Sequence, residues 1–318
     1  MKLTQFLRGK KINDLYFVKC PFCGGQMVYT DSEFACYECN KHGDVADFLA
    51  EKNHVSRTVA LWQLNKESND NLYKILSLAE EYYSSKLANN TYLNKRGLAY
   101  DTIKKYHLGW ADGGLKIHLE KYGIDCLSLQ RAGLIKTSGR DVFYNRVMFP
   151  IFDRNGRVIG FGGRKTDKNS NAPKYINSPE TKVFHKKECL FGIQNLNVSS
   201  PVYIVEGYMD AISLQSHGIN AVAVLGTAVG RGHAQLLRSL NISNVILALD
   251  GDAAGVKNAL KGINALMDFD VQVLCNYKDS KDPDEFINKY GTEAFEHLPK
   301  LMRDEFLLKS GVNPVDIL

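Results

Sequence analysis

The stretches VYIVEGYMDAISL (202–214), VILALDGDAAG (245–255) and KDPDEF (281–286) decide the architecture of this chain. Each of the first two runs a short apolar strand into an acidic pair, Glu206 with Asp210 and Asp250 with Asp252, and then into a helical pattern. The third adds Asp282 and Asp284 at a helix start. Carboxylates gathered where strands end repel one another unless a cation sits among them. An all-oxygen donor set suits magnesium or manganese. Asp252, just before a helix, has the alternative reading of a simple cap.

Around these stretches strands and helices alternate. PVYIVE, AVAVLG, NVILALD and VQVLC read as strands, and YMDAISLQSHG, HAQLLRSL, AAGVKNALKGINALM and DPDEFINKYG as helices. Strand–helix alternation predicts a parallel sheet with helical crossovers. Ligands of such sheets bind beyond the carboxyl ends of the strands, where Glu206, Asp250 and Asp252 fall.

Upstream, NRVMFPIFDRNGRVIGFGGRK (145–165) predicts two strands joined by a turn at 153–156, with Asn155-Gly156 as the hairpin signal. Residues 91–108 read as helical apart from a turn at Arg96 and Gly97. Residues 86–192 hold 20 Lys or Arg against 9 Asp or Glu, a net of +11, whereas the rest holds 20 against 26, a net of −6. A basic middle beside an acidic cluster predicts a polyanion track leading to a metal site, with a solvated charged face as the plain alternative.

Near the N-terminus, KCPFCGG and ACYECNKHG place Cys20, Cys23, Cys36 and Cys39 as two C-x-x-C pairs with twelve residues between them. This spacing predicts a four-thiolate zinc site in a hairpin module. His42 is read as structural rather than as a ligand. Tyr29, Phe34 and Tyr37 are candidates for stacking on single-stranded bases, with module core as the alternative. Cys126, Cys189 and Cys275 are read as core residues, so no disulfide framework is expected. The N-terminus lacks the apolar core of a signal peptide and no apolar run nears the ~20 residues of a span. A cytoplasmic protein without membrane contact is expected.

The motifs resemble those of a known family. EGYMD, LDGDAAG and KDPDEF are similar to the TOPRIM fold of DnaG-type bacterial primases, topoisomerases and some nucleases. TYLNKRGLAYDTIKKYHLGWA (91–111), AGLIKTSGRDVFYNRVMFPIFDRNGRVIGFGGRK (132–165) and PKYINSPETKVFHK (173–186) resemble the polymerase core of the primases. The expected architecture is α/β and multidomain. It comprises a zinc ribbon (1–54), a helical linker (55–85), a mixed α+β basic subdomain (86–199), a TOPRIM domain with a parallel sheet and flanking helices (200–290), and a short helical tail (291–318). The linker reading rests on Val59, Trp62 and Leu64, with a break at 68–71.

The resemblance implies synthesis of short RNA primers from NTPs on a single-stranded DNA template for replication. It assigns Asp250, Asp252 and Asp282 to magnesium or manganese, with Asp210 and Asp284 in support and Glu206 as either ligand or proton acceptor. It places template or triphosphate on Arg96, Arg146 and Arg164, and triphosphate on Lys174 with Tyr175 and Asn177 beside it. His185 is an open candidate for a phosphate contact or a surface role. The family usually carries one histidine among its zinc ligands, and Cys23 stands there instead, so a different start-site preference is expected. Cellular members dock on a replicative helicase through a further C-terminal domain. About 28 residues follow the clusters here, as in the short primases of phages and mobile elements, which leaves the helicase open as a partner. Two other readings compete: a TOPRIM nuclease or topoisomerase-like enzyme, and a non-catalytic single-strand-binding replication factor. The full set of carboxylates disfavours the second, because binding DNA gains nothing from added negative charge.

Overall fold

The computed structural model describes residues 2–57, 60, 69–87, 91–167, 169–226, 228–274, 276–312 and 314. Val59, Trp62, Leu64 and Cys275 lie outside the described residues.

The N-terminal module is an antiparallel sheet of β1 (Lys10–Ile12), β2 (Leu15–Lys19), β3 (Gln26–Tyr29), β4 (Glu33–Cys36) and β5 (His42–Asp44), in sequence order. Helix α1 (Val45–Asn53) starts on a reciprocal cap: the Asp44 carboxylate accepts from the N–H of Ala46 and Asp47, and Asp47 accepts from the N–H of Asp44. Its apolar face closes a small core of Met27, Tyr29, Phe34, Phe48 and Leu49.

The middle subdomain begins with α2 (Asn69–Ser85), α3 (Thr91–Lys95) and α4 (Tyr100–Lys105). The break expected at 68–71 is therefore a helix start, with Asn69, Asp70 and Asn71 inside α2. Arg96 and Gly97 form the turn between α3 and α4, where Gly97 takes a φ of 73° that favours glycine. Then follow β6 (Gly109–Ala111), α5 (Leu115–Glu120), α6 (Cys126–Arg131), β7 (Arg146–Phe152), β8 (Val158–Lys165) and β9 (Tyr175–Asn177), with β6 to β9 forming an antiparallel sheet in that order. Every residue of β7 is buried. Successive strand side chains alternate between faces. Val147, Phe149 and Ile151 thus enter one core while Met148 and Phe152 enter another beneath α2. The first of these cores continues into the C-terminal domain.

That domain runs β10 (Val202–Val205), α7 (Tyr208–Ser216), β11 (Ala221–Ala223), α8 (Arg231–Ser239), β12 (Asn244–Ala248), α9 (Ala253–Ala265), β13 (Asp270–Leu274), α10 (Pro283–Glu296), β14 (Leu301–Met302) and α11 (Arg303–Lys309). The sheet order is β11-β10-β12-β13-β14, parallel except at β13–β14. Apolar cores cover both faces, as near-continuous apolar strands require. Residues 291–318, expected as a short helical tail, hold a strand as well. Leu301 pairs with Val273 and Met302 with Gln272, and Phe306 and Leu307 of α11 join the core. A two-residue strand is too short to announce itself by periodicity.

Candidate active site

The two C-x-x-C pairs meet between β2–β3 and β4–β5. The Sγ atoms of Cys20 and Cys39 are 3.8 Å apart and those of Cys23 and Cys36 3.6 Å. All four lie within 4.8 Å of one another. A tetrahedron with zinc–sulfur bonds of ~2.3 Å has edges of ~3.8 Å, so the cluster fits zinc closely. The residue after each pair, Gly24 at φ 82° or Asn40 at φ 54°, turns left-handed and folds the backbone around the sulfurs. The Cys39 backbone N–H, helped by that of Glu38 against burial, pulls the Cys36 thiol down to about 7, toward the thiolate that metal needs. His42 gives its Nδ1 to a 2.9 Å hydrogen bond with the Asn40 carbonyl and is no part of the cluster. Small metal modules fold on their metal. Cys36→Ser is therefore expected to drop bound zinc from one ion per chain to none and to unfold α1 and the sheet. Metal analysis with circular dichroism checks this.

Of the stacking candidates, Tyr29 and Phe34 are core residues. Tyr29 packs on Tyr16 at 5.0 Å and donates its hydroxyl to the Leu7 carbonyl, and Phe34 packs edge-on against Phe48. Only Tyr37 of the three is open to solvent, at 74% exposure. Cys189 is buried and Cys126 packs at the edge of its core.

The carboxylates assemble at the carboxyl end of the parallel sheet. Glu206 directly follows β10, and Gly207 is the N-cap of α7, whose first turn carries Asp210. Asp250 follows β12, and Asp252 caps α9 by accepting from the Gly255 N–H at 2.8 Å. Asp282 caps α10 in the same way through the Glu285 N–H at 2.8 Å. The capping alternative for Asp252 is thus real and compatible with a site role, since one oxygen caps and the other is left over. Gly255 is obligatory here, because a Cβ would strike the Asp250 carbonyl.

These groups feel one another strongly. Burial first, then Asp282, Asp250 and Asp284, push the Asp210 carboxyl up to about 8. Burial, then Glu206, Asp282 and Asp252, push Asp250 up to about 6 against the pull of Lys174. Burial raises Asp284 too, opposed by Arg96. A buried oxygen-donor set that resists ionisation is short of positive charge, which is what a divalent cation provides. The oxygens are more widely spread than the sulfurs. Among the described residues, the cysteines are the only group of three or more His, Cys, Asp or Glu with ligand atoms within 4.8 Å.

The basic residues divide differently from expectation. Arg96 ion-pairs with Asp284, joining the middle subdomain to α10. The two line a cavity of about 540 Å³ with Lys281, Asp282, Asn288 and Lys289. Arg146, expected on the phosphate-binding face, is buried. Its guanidinium donates to the carbonyls of Gly163 and Pro173 at 2.9–3.1 Å and so braces the loop that leads into β9. Asn177 is also engaged: its Nδ2 donates to the Leu225 carbonyl at 3.0 Å and its Oδ1 accepts from the Tyr208 hydroxyl at 2.5 Å. His185 is an exposed partner of Glu180. Arg164 and Lys174 differ in their surroundings. Arg164 lies over the Tyr92 ring at 4.1 Å and within 5.6 Å of Tyr175, and its buried Nε and Nη1 have no hydrogen-bond partner among the described residues. Lys174 is exposed and close enough to act on Asp250. Tyr175 is half-buried and packs on Tyr208 at 5.7 Å.

Two participants were not singled out from sequence. Asn258 of α9 donates to Glu206 at 3.3 Å, and Asn288 donates to Asp284 at 2.8 Å. Each sits on the helix that follows an acidic motif, six residues after Asp252 or Asp282, and that shared spacing was the available signal.

Acidic groups at the ends of parallel strands, beside a basic antiparallel subdomain and a thiolate module, define a Toprim-type protein with a metal-binding N-terminus. Residues 78–197 match the family model of the DNA primase catalytic core, N-terminal domain, and residues 203–287 the Toprim-like model. The DNA primase of Clostridium acetobutylicum is 37% identical over 335 residues, covering 93% of this chain and 56% of that protein. That of Escherichia coli K12 is 35% identical, covering 90% and 57%. A crystal structure of the Aquifex aeolicus primase, with zinc-binding and RNA polymerase domains, superposes with a TM-score of 0.69 at 31% identity over 97% of this chain and 84% of that one. A DnaG primase catalytic domain bound to ssDNA gives 0.67 at 36% identity over 75% and 81%. The chain belongs to the bacterial DnaG-type DNA primase family. It spans about half the length of the curated relatives it matches. No helix among the described residues is long and apolar enough to cross a membrane.

Proposed function

We propose that this chain is a DNA primase, a nucleotidyltransferase that makes short RNA primers from NTPs on single-stranded DNA in the bacterial cytoplasm. The observation that carries the reading is the placement of Asp210, Asp250, Asp282 and Asp284 in one mutually repelling group, with Lys174 acting on it from the opposing subdomain. A nucleotidyl site needs this pairing: carboxylates to hold cations, and nearby basic groups to hold phosphate.

Asp250, Asp252 and Asp282 would hold magnesium or manganese, with Asp210 and Asp284 in support. Bound there, the cation supplies charge neutralisation and a lowered pKa for the attacking hydroxyl. The 3′-oxygen forms a bond to the α-phosphorus, the bond to the β-phosphate bridge breaks, and pyrophosphate leaves. Glu206, held by Asn258, would take the hydroxyl proton or ligate the cation. Arg164, whose buried Nε and Nη1 have no hydrogen-bond partner among the described residues, would pair with phosphate oxygens of template or triphosphate. Lys174 serves the triphosphate as a point charge. Arg96 joins the phosphate-binding set only when it leaves Asp284. The zinc module, through exposed Tyr37, would read the template.

Labelled ribonucleotide, unprimed single-stranded DNA and magnesium or manganese test the reading. Short RNA products are expected. Cut DNA without RNA would replace the reading with a nuclease, and tight DNA binding with neither product would replace it with a non-catalytic replication factor.

A further inference from the structure

Tyr208 is the first residue of α7, between the metal-site residues Glu206 and Asp210, and it is fully buried. Its ring packs at shallow angles against Phe149 at 5.0 Å and Tyr175 at 5.7 Å, with Phe191 edge-on at 4.9 Å. These three rings fix where its hydroxyl points. That hydroxyl donates to Asn177 Oδ1 at 2.5 Å. Asn177 is on β9, three residues after Lys174, and its Nδ2 reaches across to the Leu225 carbonyl beyond β11. The sheet makes room for this contact at Gly162 on β8, where any Cβ would collide with the Tyr208 ring and hydroxyl. Gly162 pairs directly with Asn177. Three elements, β8, β9 and α7, thus converge on one hydrogen bond.

We infer that Tyr208 is a positioning residue. Through Asn177 it locks the strand that Lys174 leads into to the helix carrying Asp210, and so sets the distance between the triphosphate-binding lysine and the carboxylates. Neither Tyr208 nor Asn177 touches the nucleotide. A hydrogen bond between subdomains suits this task because it fixes direction as well as distance, which apolar packing alone does not. Small misplacements of a phosphate-binding charge weaken binding disproportionately.

The inference rests on the polymerase reading, and one experiment separates the two. The full chain with magnesium is titrated with a fluorescent ribonucleoside triphosphate as wild type, Tyr208→Phe, Lys174→Gln and the double variant, with melting temperatures alongside. Tyr208→Phe keeps the ring stack and is expected to bind about fivefold more weakly, the loss of one ordinary hydrogen bond. In the Lys174→Gln background the same change is expected to cost nothing further, because the charge it positions is gone. Losses that multiply in the double variant, or wild-type binding by Tyr208→Phe, overturn the inference and leave the polymerase reading standing. Wild-type chain that binds no nucleotide overturns both. Asn177→Ser, which shortens the side chain and removes the bond from its other end, gives the same comparison if Tyr208→Phe fails to fold.

Discussion

Asp250→Ala is expected to abolish primer synthesis, by a factor on the order of 10³ or more, while the chain stays folded. Asp250 sits at the carboxyl end of the central strand β12 and feels Glu206, Asp282 and Asp252 together. Its removal takes a ligand from the middle of the donor set. It does not open a core cavity, because Asp250 is only half-buried. It also relieves repulsion, so the metal-free melting temperature should not fall. Gel analysis of labelled products and a thermal scan together check the claim. A folded Asp250→Ala chain that still makes primers would remove this residue from the chemistry.

Without divalent metal, stability is expected to fall as pH rises from about 4 to about 8, and Asp210→Asn should remove most of that slope. The sign follows from the Asp210 carboxyl, buried and raised from an ordinary 3.8 to about 8. Below the ordinary value it is protonated whether folded or unfolded and costs nothing. Between the two values the folded chain holds a proton that the unfolded chain has released, so each step up in pH favours unfolding. Above about 8 the full penalty stands, up to about 6 kcal/mol at 1.36 kcal/mol per pH unit. Asp250, raised to about 6, adds to the slope over its lower half. The depressed carboxyls Asp44 and Asp279, both near 2, act in the opposite sense but only between about 2 and 4. Magnesium should flatten the profile by taking the place of the proton. Urea melts of the zinc-loaded chain at pH 5 and pH 8, without added magnesium or manganese and with magnesium, measure this. Equal stability at both pH values without added metal would mean that Asp210 is not ionised at cost.

Much of this was legible in the sequence because the signals were local. Apolar runs ending in acidic pairs placed Glu206, Asp250 and Asp252 on strand ends, and the Asn155-Gly156 turn lies between β7 and β8 as expected. The thiolate spacing closed into a cluster. What the sequence did not show was whatever depended on partners distant in the chain. Nothing near Arg146 says that its guanidinium will meet the carbonyl of Pro173, 27 residues on, rather than a phosphate. Arg96 finds Asp284 across 188 residues. Tyr29 and Phe34 look like Tyr37 in a string of letters, and only the alternation of the sheet over α1 puts two inside and one out. The antiparallel strand at Leu301–Met302 is set by its pairing with β13, not by its own pattern.

The central claim is that the strand-end carboxylates hold divalent cation next to a triphosphate, and manganese reports on it directly. Zinc-loaded wild-type chain, titrated with manganese and followed by electron paramagnetic resonance, should bind the ion at a site whose affinity rises when ribonucleoside triphosphate is added. Asp250→Ala and Asp282→Ala should lose that site while keeping their zinc. Unchanged manganese binding in both variants would contradict the account.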